Sequence, residues 1–130
     1  MEASVVGGIA VAVLFQLGVA LGLHVWARSV ARRHPRNPWF ARTSWLPFAG
    51  FVSFSVGLVL TVQMLIGAFA SVASANPAEK AQLLARSISE AMNVSAFSWV
   101  ATFVFYGASV AVSLVGTLLR QTGTEHPAER

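Results

Sequence analysis

Three long stretches without a formal charge constrain this chain more than any other feature. They run from Ala3 to Ala27, from Thr43 to Ala78 and from Ala91 to Leu119, and contain 25, 36 and 29 residues. A helix needs about 20 apolar residues to cross a bilayer core of about 30 Å, so each stretch is long enough to cross once. Because only helices and closed barrels satisfy their backbone hydrogen bonds in lipid, the stretches predict an all-α integral membrane protein with three transmembrane helices.

The composition predicts the same class of protein. Hydrophobic residues make up 55% of the chain and charged residues 11%, against about 45–50% and about 25% in soluble domains. A soluble domain of this size would need more charge to cover its surface. The chain contains no cysteine, which excludes disulfides, thiolate catalysis and cysteine-based metal sites.

The uncharged stretches divide a single membrane domain, residues 1–130, into spans and connections. We expect transmembrane helices at about 4–27, 47–74 and 90–119. Between them lie a basic loop at 28–46 and an outer connection at 75–89, and residues 120–130 form a short tail. Asn76 and Pro77 suit a helix start, and no helix breaker follows until Gly107. The third helix is therefore expected to extend outside the membrane.

The loop between the first two spans carries most of the positive charge. It holds five of the eight arginines, Arg28, Arg32, Arg33, Arg36 and Arg42. Because basic loops stay in the cytoplasm, the amino terminus and the 75–89 connection are expected outside and the tail inside. We interpret the loop as a topology signal in contact with anionic lipid headgroups, rather than as a nucleic-acid site.

Two features concern the ends of the first span. Glu2 precedes it and arginines follow it, the reverse of a cleavable signal peptide, so we expect a retained anchor. His24 lies near its inner end and is expected at the membrane interface. Indole side chains favour the same interface, and they flank the basic loop at Trp26, Trp39 and Trp45.

The polar residues of the third span fall on one side of the predicted helix. At 100° per residue they lie within an arc of about 100°. This polar arc consists of Ser95, Ser98, Thr102, Tyr106, Ser109, Ser113 and Thr117. Lipid does not solvate hydroxyl groups, so the arc should face protein or a water-filled cavity. Two interpretations stay open: a helix–helix contact surface, or the lining of a pore that holds a partner helix.

The second span carries a looser version of this face, on which Ser53, Gly57 and Thr61 are the candidate pore-lining or partner-facing residues. No carboxylate, lysine or arginine lies in the middle of any span. A proton path normally needs a titratable group at depth. Any proton conduction by this chain would therefore need an acid supplied by a partner.

A charged pair is predicted near the outer end of the third span. Arg86 and Glu90 are four residues apart and can form an ion pair on the helix surface. Pairing lowers the cost of a carboxylate close to the membrane boundary. The pair is interpreted either as an exposed structural ion pair or as a group that acts in gating or proton entry.

The segment Leu46–Val104 resembles the MotA/TolQ/ExbB family of ion-driven stator subunits. The stretch PAEKAQLLARSISEAMNVSAFSWVA, residues 77–101, is similar to the family's outer connection and its G-I-(S/A)-E-A-L-x-x-T-A-x-G-L pattern. Ahead of it, PFAGFVSFSVGLVLTVQMLIGAF resembles the family's glycine-containing helix, with Gly50 and Gly57 at the matching ends. Phe54 stands where that helix of the family has a threonine, and the family's large cytoplasmic domain is reduced to the basic loop.

The resemblance implies a pentameric ring in the bacterial inner membrane. In the family, two single-span partner helices of the TolR, ExbD or MotB type sit inside the ring and supply the essential aspartate. Ser95 stands at the family's pore-lining threonine and Glu90 at its glutamate near the outer end of the helix. The implied function is a proton-channel-type stator subunit that couples ion flow to work in the cell envelope.

The alternative is a non-conducting membrane scaffold or assembly protein, in which the polar arc only packs helices. An enzyme is not expected, because the sequence contains no nucleophile–base pair, metal cluster or phosphate-binding loop. We accordingly predict no catalytic residue, no metal and no cofactor. The expected partners are further copies of the chain, a single-span protein and membrane lipids, with no nucleic acid.

Overall fold

A computed structural model describes residues 2–35 and 37–123, with the side chains of 6–35 and 37–119. All regular structure in this part of the chain is helical, as predicted. The helices are α1 (Glu2–Arg33), α2 (Pro38–Thr43), α3 (Leu46–Ser74) and α4 (Pro77–Gly123). Arg36 and residues 124–130 of the predicted tail lie outside the described residues.

Within the described residues, three segments are long and apolar enough to cross a membrane by length and composition: Val6–Arg33, Pro38–Ser74 and Pro77–Leu119. Large apolar side chains point outward along them, with Phe97 82%, Phe15 68% and Met92 67% exposed. Exposed apolar surface on this scale marks a surface meant for lipid or protein rather than for water. The exposed apolar side chains along these long segments indicate a membrane protein.

The basic loop predicted at 28–46 is largely helical, because α1 continues to Arg33 and α2 spans Pro38–Thr43. The ends of these helices follow local sequence signals. Nothing breaks the helix between residues 28 and 33, and arginines in its last turn favour the negative end of the helix dipole. Pro35 disfavours helical backbone at the residue before it, and α1 ends just ahead of it at Arg33. The short α2 is capped by Asn37, whose Oδ1 accepts a hydrogen bond of 3.1 Å from the Trp39 backbone N–H.

The turn between α3 and α4 is short. Pro77 takes the first position of α4, where the missing N–H would have had no partner in any case. The backbone N–H groups of Glu79 and Lys80 donate to the Asn76 carbonyl at 2.9 and 3.2 Å. From this start α4 continues for 47 residues, a length of about 70 Å at 1.5 Å per residue.

The chain forms two compact units. Unit 1 comprises the residues up to Phe51 together with those from Phe103 onward, and unit 2 is Val52–Thr102. The buried apolar side chains of unit 1 are mostly small: Ala20, Ala27, Val30 and Phe40. In unit 2 they are Phe54, Ala68 and Ala91. Small buried residues allow helices to pack closely.

Candidate functional site

Within unit 2, α3 and α4 are in close contact at Gly57 and Ser98. The Ser98 hydroxyl donates a hydrogen bond of 2.6 Å to the Ser53 carbonyl oxygen on the other helix. A Cβ atom at Gly57 would overlap Oγ and Cβ of Ser98, so the observed separation requires glycine. The glycine allows the backbones to approach until a serine reaches the carbonyl across the contact.

An open groove of about 520 Å³, the unit 2 groove, lies beside this contact. Its lining is largely apolar and includes Val56, Leu60, Val94 and Phe97. The polar side chains among its lining residues are those of Ser53, Asn93 and Ser98. Because the Ser98 hydrogen is directed at a backbone carbonyl, its oxygen faces further partners only as a hydrogen-bond acceptor.

Two other hydroxyl groups of unit 2 bond to the backbone of their own helix. Thr102, which is 1% exposed, donates to the Ser98 carbonyl at 2.8 Å. Thr61 donates to the Gly57 carbonyl, also at 2.8 Å. Ser95 is half-buried and makes no hydrogen bond through its hydroxyl within the described part of the chain. The hydroxyl groups of Thr61 and Thr102 are therefore hydrogen-bonded within the chain, whereas that of Ser95 is not bonded within the described residues.

Phe54 occupies the α3 position at which the family resemblance places a threonine. Its side chain is buried and packs edge-on against Trp99, with ring centroids 5.2 Å apart and an interplanar angle of 74°. An aromatic pair of this geometry stabilises the α3–α4 contact of unit 2. A packed ring thus replaces the hydroxyl that the resemblance would supply.

Arg86 and Glu90 form an ion pair on the surface of unit 2. Nε of Arg86 donates to Oε1 of Glu90 at 3.0 Å, as their four-residue spacing predicts. The side chains are 79% and 51% exposed. Exposed pairs of this kind contribute little to stability.

In unit 1 the polar arc includes Tyr106, whose hydroxyl donates to Oε1 of Gln16 on α1 at 3.0 Å. The Tyr106 ring also lies close to Gly50, where an added Cβ would come within 2.7 Å of Cε1. Sequence reasoning missed Gln16. Its signal was a single amide in the middle of an otherwise apolar stretch, which must find a partner when buried.

Ser109 and Ser113 are buried in unit 1, at 1% and 2% exposure. The Ser109 hydroxyl has no hydrogen-bond partner among the described residues. Ser109 and Ser113 are therefore packed inside unit 1, whereas Tyr106 and Thr117 are half-buried.

Two histidines join elements of unit 1, a role that the sequence analysis did not assign. Nδ1 of His24 donates to the Ser44 carbonyl at 2.6 Å, and Nε2 of His34 donates to the Gly116 carbonyl at 2.8 Å. The second bond joins residues 82 positions apart. Nothing in the local sequence reports such a distant partner.

The described side chains include no group of three or more histidines and carboxylates that could hold a metal ion. The arrangement of unit 2 offers a few polar side chains, those of Ser53, Asn93 and Ser98, on an otherwise apolar surface. Such a site is suited to binding a helix or a neutral polar group.

No known protein family, curated protein or solved structure compared with this chain matches it.

Proposed function

We propose that this chain is a proton-channel-type stator subunit of the bacterial inner membrane. Several copies, five by resemblance to the MotA/TolQ/ExbB family, surround a single-span partner that carries an aspartate within its span. The amino terminus lies outside, and the basic segment between α1 and α3 and the tail lie in the cytoplasm. Ion flow through the assembly is coupled to work in the cell envelope.

The observation that carries this proposal is the position of Ser98 at the edge of the apolar unit 2 groove. The hydroxyl hydrogen is bonded to the Ser53 carbonyl, so Ser98 can accept a hydrogen bond but has no second hydrogen to donate. A protonated aspartic acid can donate to this oxygen. An ionised aspartate would meet an acceptor at Ser98. The Ser53 hydroxyl and the Asn93 amide, which also line the groove, could donate to it. In a largely apolar lining these two donors would replace its hydration only in part.

The groove therefore supports a mechanism in which protonation decides where the partner docks. A neutral aspartic acid favours the groove, and a charged one favours the aqueous side of the assembly. Proton uptake on one side and release on the other would then move the partner helix relative to the ring. Ser95, with no hydrogen bond to its hydroxyl in the described residues, offers a further polar contact on α4.

The length of α4 supports a third helix that extends outside the membrane. Its 47 residues rise about 70 Å, more than twice the bilayer core of about 30 Å. With residues 90–119 in the membrane, the segment from Pro77 to Ser89 stands outside. The exposed Arg86–Glu90 pair then lies at the outer boundary, where it would shape the entrance.

A non-conducting scaffold is the second candidate, and a different observation favours it. Ser98, Thr102 and Thr61 all donate to this chain's own backbone carbonyls. Phe54, in place of the family's threonine, is packed against Trp99. Helix packing alone accounts for these contacts.

Affinity purification of the tagged full chain in mild detergent distinguishes the two candidates. The stator proposal expects an assembly whose mass includes five 13.8 kDa chains and a co-purifying single-span protein with an aspartate in its span, identified by mass spectrometry. A monomer or dimer without such a companion would contradict the proposal and leave the scaffold.

A matched pair of substitutions tests whether the groove holds the partner. Val56→Trp fills the groove, whereas Val59→Trp adds the same bulk to an exposed valine outside the lining. We expect the first to abolish co-purification of the companion and the second to preserve it. Equal retention by both variants would show that the partner binds elsewhere.

A further inference from the structure

We propose that a cleft in unit 1, between the end of α1 and the segment that follows α2, binds the phosphate of an anionic phospholipid headgroup. The inference depends on α1 and α3 crossing the membrane. It does not depend on the stator function. We call this site the basic cleft.

The basic cleft is large enough for a lipid headgroup. Its volume is about 340 Å³, and His24, Arg28 and Arg32 line it from α1. Ser44 and Trp45 line the opposite side. A volume of this size falls within the range of small-molecule sites, which is about 300–1,000 Å³. The cleft therefore has room for a phosphate with its glycerol attachment.

The arginines of the basic cleft have no acidic partner among the described side chains of unit 1. Arg28 and Arg32 are one helical turn apart, so both lie on the same side of α1, and both side chains are exposed. No described side chain of unit 1 is a carboxylate, and neither arginine takes part in an ion pair within the described residues. Guanidinium groups bind phosphate oxygens with two parallel hydrogen bonds. Two guanidinium groups at one cleft, without an ion-pair partner among the described side chains, are therefore suited to an external phosphate.

The imidazole ring of His24 lines one side of the basic cleft and is held in place by its neighbours. Its Nδ1 donates to the Ser44 carbonyl at 2.6 Å. Its ring packs against those of Trp45 and Phe48, with centroid distances of 5.3 and 4.9 Å, and these two rings also contact each other at 5.6 Å. The bond and the two rings hold the imidazole in one orientation. Nε2 is left as the nitrogen that can meet a ligand or its water shell.

The depth of the cleft argues for a lipid rather than a soluble phosphate. The 22 residues from Val6 to Ala27 rise about 33 Å as a helix, which matches a bilayer core of about 30 Å. Arg28 and Arg32 then lie about 1.5 and 7.5 Å beyond the end of this stretch, at headgroup level. Trp45 is 63% exposed and belongs to the residue type that concentrates at this interface.

Native mass spectrometry of the purified full chain tests the inference. The protein is incubated in detergent with equal amounts of phosphatidylglycerol and phosphatidylcholine, and the ratio of the two bound lipids is measured. We expect the wild-type chain to retain phosphatidylglycerol preferentially. Each arginine near an anionic lipid contributes a factor of about five to binding. Arg28→Gln with Arg32→Gln should therefore lower the ratio by about twenty-five-fold.

The matched control removes the same charge outside the cleft. Arg33→Gln with Arg42→Gln is expected to lower the ratio several-fold less than the cleft variant, because these arginines do not line the cleft and so act on the headgroup through their charge rather than through paired hydrogen bonds. Equal losses in both double variants, or no loss in the cleft variant, would overturn the proposal. Displacement of phosphatidylglycerol by inorganic phosphate at millimolar concentration would overturn it in favour of a soluble ligand.

Folding is checked independently of lipid binding. Both cleft arginines are exposed and unpaired within the described residues, so the cleft variant should keep the wild-type helicity by circular dichroism. Should the double variant not fold, the two single substitutions are measured in the same way, with an expected loss of about fivefold each.

Discussion

The two units hold their helices together by different means. Unit 2 uses small residues, because Gly57 lets α3 approach until Ser98 reaches a backbone carbonyl. Unit 1 also has close contacts at glycine, such as Gly116 against Val30, but adds longer polar side chains that join its elements. These contacts are His24 to the Ser44 carbonyl, His34 to the Gly116 carbonyl, and Tyr106 to Gln16.

This difference predicts how well each unit tolerates added side-chain volume. A contact made by glycine and serine fixes the distance between two backbones, so one added carbon forces the helices apart. A contact made by a long side chain can adjust its torsion angles when volume is added nearby. Unit 2 should therefore be the more sensitive to added volume. Matched glycine and serine substitutions compare the stability of the two units, and are given from the largest expected effect to the smallest.

The largest effect is expected for Gly57→Ala. The new methyl group overlaps Oγ and Cβ of Ser98, and because Cβ sits directly on the backbone, α3 and α4 must separate. Overpacking of this kind costs about 3 kcal/mol of unfolding free energy. The measurement is SDS titration in mixed micelles. Gly67→Ala is the control, since no atom lies within 4 Å of its new Cβ, and a similar loss in both variants would contradict the close contact.

A smaller loss is expected for Gly116→Ala in unit 1. The added carbon meets Cγ1 of Val30 and, at 3.0 Å, Cε1 of Phe40. Val30 is buried and stiff about χ1, but its Cγ1 lies one bond farther from the backbone than Cβ of Ser98, and the Phe40 ring can shift. The loss should therefore be about 2 kcal/mol. Gly107→Ala serves as the control in the same helix and unit, because its Cβ would meet no atom within 4 Å. A loss larger than that of Gly57→Ala would reverse the comparison between the units.

The smallest effect separates two serines of the polar arc. Ser98→Ala removes the hydrogen bond to the Ser53 carbonyl and should cost about 1 kcal/mol. Ser109→Ala removes a buried hydroxyl without a partner in the described residues, so its effect should stay within about 0.5 kcal/mol. Thermal unfolding of both variants in one detergent measures the difference. Equal losses would mean that Ser109 makes an equivalent bond.

Much of the site was predictable where the relevant contact lies within one helix. The Arg86–Glu90 pair follows from a four-residue spacing. A helix–helix contact through the polar arc, such as the one Ser98 makes, was one of the two interpretations left open by the sequence. The sequence did not distinguish Ser98 from Ser95, although the structure bonds the first hydroxyl across the helices and leaves the second without a bond in the described residues. Spacing along one helix carries no information on the rotation or depth of its neighbour.

The sequence by itself determined the helical class, the three segments able to cross a membrane, and the breaks beside Pro35 and Pro77. These depend on hydropathy and on backbone chemistry, which act over a few residues. Only the tertiary structure decided that Gly57 is a contact and Gly67 is not, or that His34 reaches a carbonyl 82 residues away. Those outcomes depend on how separate helices rotate and approach, which local periodicity does not encode.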